Sequence, residues 1–244
     1  AVALAASAGA YLLAAGALAL LVGQFRPART GPRTRLRTDV AEGLRYLVGH
    51  RVLRTLAVCV GLSNLANTAL FAVFALYVVD PGPMGLSERG FGLLLTAAAA
   101  GSLVGSAIVT RAERVLGRWG ALMLSALVFP ISLAAPAITT APWAVAAGLI
   151  VTGIAGVVWN VITVSLRQRT VPDHLLGRVN SAYRLLAWGS MPLGAFLGGV
   201  LADTWGLRTT FAVAAGINLL CMPLLLANVT RENLTDSEVA PAAT

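Results

Sequence analysis

The sequence predicts an all-α membrane protein, a polytopic bundle of transmembrane helices, from its low charge, its long apolar segments and the placement of its arginines. Only 11% of the 244 residues are charged and 57% are hydrophobic, whereas a soluble domain carries roughly 25% charged residues. So few charges could not cover the surface of a soluble protein of this length. The mean hydropathy of +0.80 is typical of a chain whose surface largely faces lipid.

Seven segments are long and apolar enough to cross a membrane, since a spanning helix needs about 20 mostly apolar residues. None of them contains Asp, Glu, Lys or Arg. Because backbone groups in hydrocarbon must be satisfied within the segment, each is predicted to be a helix. The predicted spans cover residues 1–22, 56–79, 91–110, 119–138, 143–166, 185–202 and 210–229. Only 139–142 separate the fourth span from the fifth, which predicts a tight helical hairpin.

The arginines predict an orientation and argue against a nucleic-acid partner. All 18 basic residues are Arg, and they cluster between the apolar segments, with 16 on one side and only Arg89 and Arg208 on the other. Under the positive-inside rule the arginine-rich side is cytoplasmic. We therefore expect a multi-pass protein of a bacterial inner (plasma) membrane with a cytoplasmic C-terminus. Nucleic-acid binders instead interleave basic and aromatic residues on a soluble scaffold, so no nucleic acid is expected.

These spans divide the chain into four regions: a transmembrane helix at 1–25, a basic cytoplasmic linker at 26–54, a six-helix bundle at 55–230 and a cytoplasmic tail at 231–244. The first region begins at Ala1 inside an apolar run, with no basic segment before it. It is therefore not a secretory signal peptide. The chain is expected to be a piece of a longer protein.

The linker is predicted to contain a short amphipathic helix. Asp39 and Glu42 are three residues apart, as in a capping box. Apolar residues follow at helical spacing, namely Val40, Leu44, Leu47 and Val48. Such a helix lies on the cytoplasmic face, either to couple two bundles or as a plain interfacial anchor.

Small residues predict close helix contacts. Gly101 and Gly105 are four apart in the third span, as are Gly194 and Gly198 in the sixth, and this spacing lets helix backbones approach closely. The two cysteines of the chain both lie inside apolar runs. They are interpreted as small apolar core residues rather than a disulfide or a metal pair.

Three loop segments carry local motifs. Residues 169–181 read RTVPDHLLGRVNS, residues 198–208 read GGVLADTWGLR, and residues 101–118 contain Gly105, Arg111, Gly117 and Arg118. Together with one span, a long basic loop and six further spans, they resemble the end of a major facilitator superfamily transporter. The first motif resembles the bacterial drug-exporter branch, which includes macrolide-efflux and siderophore-exporter-like proteins. The third motif departs from the family pattern, because Val109 stands where an acid is expected.

The resemblance implies a major facilitator-like half-transporter. Such a transporter has twelve helices in two six-helix halves joined by a long cytoplasmic loop. Residues 1–22 would be the sixth helix and the other spans helices seven to twelve. The missing N-terminal half of the same protein is then the expected partner, besides the lipid bilayer and a small-molecule substrate.

Uncharged polar residues within two spans are the substrate-cavity candidates. Asn64 and Asn67 share one helix face of the second span, and Trp159, Asn160 and Thr163 lie in the fifth. The resemblance implies that these two spans line the central cavity. The alternative is helix-to-helix hydrogen bonding, which is worth only about 1 kcal/mol.

The loop between the fifth and sixth spans supplies candidates for a cytoplasmic gate. Asp173 is one acid among several arginines, namely Arg167, Arg169, Arg178 and Arg184. An ion pair at a helix end could break when two bundles rock apart. Alternatively, the arginines only anchor the spans at the lipid headgroups.

The resemblance implies a secondary active transporter, with proton-coupled efflux of hydrophobic or amphipathic compounds such as drugs, macrolides or siderophores. The alternatives are an uptake carrier of the same fold for a small metabolite, and a non-transporting membrane scaffold or receptor. No nucleophile with a base, metal cluster or phosphate-binding loop is visible in the sequence, so no enzyme activity, catalytic residue, metal or cofactor is expected. Since no acid lies within the spans, the proton-coupling carboxylate is expected in the missing half.

Overall fold

The computed structural model describes residues 2–20 and 36–235. The chain separates into two compact units, Ala1–Arg35 and Leu36–Thr244. The first unit contains helix α1, Val2–Ala19, which carries no charged residue and occupies most of the first predicted span. Segment 26–35 of the predicted linker and residues 236–244 of the predicted tail lie outside the described residues.

The second unit consists of helices joined by short connections. They are α2 Leu36–Gly49, α3 Arg51–Val78, α4 Glu88–Leu133, α5 Ala135–Ile138, α6 Pro142–Thr170, α7 Asp173–Gly189, α8 Met191–Trp205, α9 Leu207–Leu219, α10 Cys221–Asn228 and α11 Arg231–Thr235.

Within the described residues, 5 helical stretches are long and apolar enough to cross a membrane. One of them, Glu88–Ile138, has 51 residues, about twice the length that one span requires. It is broken at Gly117, so it contains two of the predicted spans. The all-α membrane bundle predicted from the sequence is thereby confirmed.

The break in α4 depends on a glycine. Gly117 has φ 69° and ψ 161°, a conformation that a residue without a Cβ adopts readily. It separates residues 88–116 from residues 118–133. Beside the break, Arg118 Nε lies 4.0 Å from Glu113 Oε2. The acid Glu113 therefore lies near this motif, one helical turn after Val109, the position at which an acid was expected.

The loop predicted between the fifth and sixth spans is largely helical, which corrects the sequence analysis. Helix α6 continues to Thr170 and α7 begins at Asp173, so only Val171 and Pro172 separate them. Proline cannot continue a helix interior, and this explains the break. Apolar windows did not detect the first half of α7 because it carries the charged residues Asp173 and Arg178.

Glycines bring two helix pairs into close contact, as the sequence predicted. A Cβ added to Gly101 of α4 would lie 2.1 Å from the carbonyl oxygen of Ile150 in α6. A Cβ added to Gly198 of α8 would lie 2.3 Å from the carbonyl oxygen of Ala69 in α3. The rings of Tyr77 and Phe211 meet edge to face at 4.9 Å and join α3 to α9.

Helix α2 exists, but its buried face differs from the predicted stripe. Leu47 is 1% exposed, whereas Leu44 is 40% and Val48 48% exposed. The buried face follows Gly43 and Leu47 instead, because a Cβ on Gly43 would lie 2.3 Å from the carbonyl oxygen of Arg178. The helix begins at Leu36, so Asp39 lies in its first turn and is not the N-cap that a capping box requires.

The predicted C-terminal tail begins with structure. Residues 231–235 form α11. Its Leu234 is 2% exposed and packs in the same apolar cluster as Leu166 of α6. The chain just before α11 is also held in place, because Trp119 Nε1 donates to the carbonyl oxygen of Val229 over 2.7 Å.

Candidate functional site

A cavity of about 430 Å³ lies among α3, α4, α6, α7, α9 and α10. Its volume falls within the range of small-molecule sites, roughly 300–1,000 Å³. All of the cavity residues predicted from the sequence line it, namely Asn64, Asn67, Trp159, Asn160 and Thr163. Helical periodicity could bring these residues together because each group shares one face of its own helix.

The two asparagines of α3 also hold helices together. Asn64 Nδ2 donates to the carbonyl oxygen of Ala187 in α7 over 2.7 Å. Asn67 Oδ1 accepts from Asn218 Nδ2 of α9 over 3.4 Å, and the same Nδ2 donates to the carbonyl oxygen of Ala214 over 2.9 Å. Cavity lining and helix packing are therefore not alternatives for these side chains, because each does both.

Two polar side chains of α6 differ in their hydrogen bonding. The Thr163 hydroxyl is buried and donates to the carbonyl oxygen of Trp159 over 2.8 Å, within its own helix. The Asn160 amide is exposed to the cavity, and it has no hydrogen-bond partner among the described residues. Asn160 is thus the predicted residue whose polar group is most available to a ligand.

One end of the cavity is basic and aromatic. Arg167 of α6 places Cζ 4.0 Å from the ring centroid of Tyr183, and Arg184 of α7 places Cζ 5.1 Å from the ring of Trp188. All four side chains line the cavity. The Nε atom of Arg167 is buried and has no hydrogen-bond partner in the part of the chain that the structure describes. Both arginines belong to the group that the sequence predicts as a cytoplasmic gate.

Among the residues that the structure describes, no acidic side chain lines this cavity. Its other polar groups are uncharged, including Ser63, Ser125 and Asn218. The apolar wall is contributed by residues such as Phe129, Trp159 and Leu225. The cavity therefore combines an apolar body with two positive charges at one end.

The remaining gate candidates lie outside the cavity. Arg178 Nε lies 2.9 Å from Asp39 Oδ1, and its Nη1 donates to Glu42 Oε2 over 2.5 Å. Asp173, the acid proposed from the sequence, forms no ion pair within the described residues. Arg169 lies beside Leu234 of α11. The paired acids are on α2, which sequence reasoning considered only as a local capping box.

Sequence reasoning missed several cavity residues. Tyr183 and Trp188 were not singled out, although Trp188 follows Arg184 by four positions and therefore shares its helix face. Cys59 and Cys221 are free and buried, as expected for core residues, but they also line the cavity. Cys221 Sγ lies 3.8 Å from the carbonyl oxygen of Cys59.

Membrane-spanning helices around a polar-lined cavity are an arrangement typical of multi-pass membrane transporters. Residues 1–243 match the model of the transmembrane secretion effector family, and the chain belongs to this family of major facilitator transporters. Family membership confirms the resemblance noted in the sequence and the expectation of a transporter rather than an enzyme.

Curated relatives share the sequence over nearly the whole chain. The multidrug efflux pump Tap of Mycobacterium tuberculosis (strain ATCC 25618 / H37Rv) is 32% identical over 96% of this chain and 54% of its own length. The protein of the same name from Mycobacterium bovis (strain BCG / Pasteur 1173P2) gives the same figures, 32% identity, 96% and 54%. Tap of Mycolicibacterium fortuitum is 30% identical over 91% of this chain and 53% of its own length. The chain spans about half the length of the curated relatives it matches.

Proposed function

We propose that this chain forms the C-terminal half of a secondary active exporter of hydrophobic or amphipathic small molecules. The observation that supports this best is the cavity of about 430 Å³ in a chain of this transporter family. The cavity has an apolar wall and an Asn160 amide that has no hydrogen-bond partner in the described part of the chain. The relatives named as multidrug efflux pumps support the direction of transport. Because those relatives are about twice as long, the proposal includes an N-terminal half as partner.

The second half is needed for physical reasons as well. In this architecture the substrate path lies at the interface between two repeats, and one repeat rocks against the other. One half supplies one wall of that path. Proton coupling requires an ionisable group in or near the pathway, and no acid lines the cavity described for this half. We therefore place the coupling carboxylate in the partner half.

The proposed location is the plasma membrane with a cytoplasmic C-terminus. The support is the arginine asymmetry, 16 of 18 on one side of the predicted spans. On this orientation α2 and the α6–α7 junction lie at the cytoplasmic side, and the connection before α4 lies outside.

An uptake carrier is the second candidate, and one observation favours it. The sequence alone placed no charge among the cavity residues, but the structure adds Arg167 and Arg184 to the wall. Charged lining groups are common where a polar solute is bound. The family match argues against the third alternative, a non-transporting scaffold.

The test compares cells that carry the gene with cells that lack it. Export predicts that carrying cells accumulate less of a lipophilic dye, and that a protonophore equalises the two strains. Higher accumulation in the carrying cells would favour uptake. Equal accumulation of every dye in a panel, with the protein present in the membrane, would contradict both. Asn160→Ala should change the ranking of the dyes while the amount of protein in the membrane stays the same.

A further inference from the structure

We infer that the cavity selects amphipathic organic anions, whose carboxylate, sulfonate or phosphate group binds Arg167 and Arg184 while an apolar body contacts Phe129 and Trp159. The inference deepens the proposed function by naming a substrate class, and it rests on that function only as far as transport is concerned. Binding itself can be tested without transport.

The two arginines of the cavity wall have no acidic partner among the described residues. Asp39 and Glu42 pair with Arg178, and Glu113 pairs with Arg118. None lines the cavity. Arg167 is partly buried and Arg184 is exposed, so a ligand that brings a negative charge to these two guanidinium groups is favoured over one that does not.

Arg167 also has an unused donor. Its Cζ lies over the Tyr183 ring, 4.0 Å from the ring centroid, in a cation–π contact. The Nε atom is buried and lacks an acceptor within the described part of the chain. A carboxylate or phosphate accepts from the guanidinium edge, often through two parallel hydrogen bonds.

The position of the second arginine also favours an anion. Arg184 is stacked on Trp188, and both line the same cavity as Arg167. Two like charges in one wall repel a cationic ligand. Neutral ligands gain only the apolar contacts and the uncharged hydrogen bonds, such as those with Asn160. The expected order of affinity is therefore anion, neutral compound, cation.

The experiment uses three probes with one aromatic body: pyrenebutyrate, pyrenebutanol and pyrenebutylamine. Binding of each probe is measured with the purified protein as it is made in cells, including any segment that precedes Ala1. Energy transfer from tryptophan to pyrene reports binding, because Trp159 and Trp188 lie in the cavity wall. Arg167→Gln should raise the Kd of pyrenebutyrate about tenfold, which corresponds to about 1.4 kcal/mol, because the variant loses the charge-assisted hydrogen bonds to the carboxylate. The Kd of pyrenebutanol should change less than about twofold.

Two further variants guard against misfolding, and a third variant is a matched control. Arg184→Gln changes an exposed side chain and should weaken pyrenebutyrate binding by about threefold, because exposed charges contribute less. Arg167→Lys keeps the charge and should recover part of the lost affinity. Arg208→Gln removes an exposed arginine that does not line the cavity, and it should leave all three Kd values unchanged.

Two results would overturn the inference. One is that pyrenebutylamine binds the wild-type protein as well as or better than pyrenebutyrate, or that no probe binds it at all. The other is that Arg167→Gln and Arg184→Gln weaken pyrenebutanol as much as pyrenebutyrate, which would indicate a general change in structure. If cells export lipophilic dyes without any charge preference in binding, the inference fails and the proposed function stands. If binding prefers the anion but cells move no dye, the inference stands and the proposed function fails.

An anionic lipid headgroup has the same chemistry as a free amphipathic anion. Phosphatidylglycerol and phosphatidylcholine, added in mixed micelles as competitors, distinguish the two sources. Displacement of pyrenebutyrate by phosphatidylglycerol alone supports an anion site and assigns it to lipid. Displacement by neither supports an anion site that selects a compound outside the lipid pool. Equal displacement by both would contradict selection by charge.

Discussion

Arg178 of α7 binds Asp39 of α2, with Nε 2.9 Å from Oδ1, and the same guanidinium donates to Glu42, a residue 136 positions earlier in the chain. Gly43 allows this contact because the two helices touch at backbone distance there. Helix α7 also carries Tyr183, Arg184 and Trp188 of the cavity wall. A movement of α2 would therefore displace α7 and with it part of the cavity wall.

Arg178→Gln should release α2 from α7. We expect faster amide hydrogen exchange over residues 36–49 and a loss of about 1 kcal/mol of stability, a modest value because the paired side chains are about 30% exposed. Hydrogen exchange followed by mass spectrometry measures the effect. Arg45→Gln is the matched control, since Arg45 is an exposed arginine of α2 itself. Unchanged protection of α2 in Arg178→Gln would show that apolar packing alone holds it.

Gly198→Ala and Gly199→Ala should differ sharply although the residues are neighbours. A Cβ at 198 would lie 2.3 Å from the carbonyl oxygen of Ala69, whereas a Cβ at 199 meets nothing within 4 Å. Gly198→Ala must push α8 away from α3 and should cost about 1–3 kcal/mol, as overpacking generally does. Thermal melting in detergent provides the comparison. Equal melting temperatures for the two variants would contradict the close contact.

The two cavity asparagines should separate stability from binding. Asn64→Ala loses the 2.7 Å hydrogen bond to Ala187 and should destabilise the protein by about 1 kcal/mol. Asn160→Ala breaks no side-chain hydrogen bond within the described residues, so stability should be retained while ligand preference changes. Melting temperature and probe affinity are measured on both variants. A larger loss of stability in Asn160→Ala would place its side chain in helix packing.

His50 should make stability depend on pH. Its Nδ1 accepts from the backbone N–H of Leu53 over 3.4 Å and caps α3. Burial lowers the pKa of His50, partly offset by a backbone hydrogen bond, so the folded state favours the neutral ring. The unfolded pKa is about 6.5. The stabilisation is therefore complete above that pH and is lost as the pH falls through it toward the lower folded pKa.

His50→Ser keeps a capping acceptor without the titration. The melting temperature of the wild type is compared with that of His50→Ser at the same pH. The difference, wild type minus His50→Ser, should be lower near pH 5.5 than near pH 7.5, values that bracket the histidine pKa of about 6.5. His174→Ser, an exposed histidine of α7, serves as the control. A constant difference between wild type and His50→Ser over this interval would contradict the capping role.

The proposed orientation can be tested by cysteine labelling. In a background with Cys59→Ser and Cys221→Ser, Gly177→Cys and Arg89→Cys place single thiols at exposed positions on opposite sides of the predicted bundle. An impermeant maleimide added to intact cells should label position 89 and not position 177. Permeabilised cells should label both. The reverse pattern in intact cells would invert the orientation and place the C-terminus outside.

The spans could be predicted because hydropathy is a local property. Each apolar run must be a helix in lipid, whatever its neighbours are. The helix boundaries were less predictable where charged residues and buried residues occur in the same part of a helix. Helix α7 begins at Asp173 rather than Leu185, because its polar first half is stabilised by Arg178 and by buried residues such as Val179, which no hydropathy window detects.

The sequence by itself determined that this is a membrane-spanning helical bundle, which polar residues share a helix face, and that Gly101 and Gly198 mark close contacts. Only the tertiary structure decided which arginines enter the cavity. Arg167 and Arg178 belong to the same predicted gate group, but Arg167 lines the cavity and Arg178 pairs with α2. It also decided that Asn67 meets Asn218, a residue 151 positions away. The reason is physical: composition and spacing act within one helix, whereas the partner of a side chain depends on which helix faces pack together.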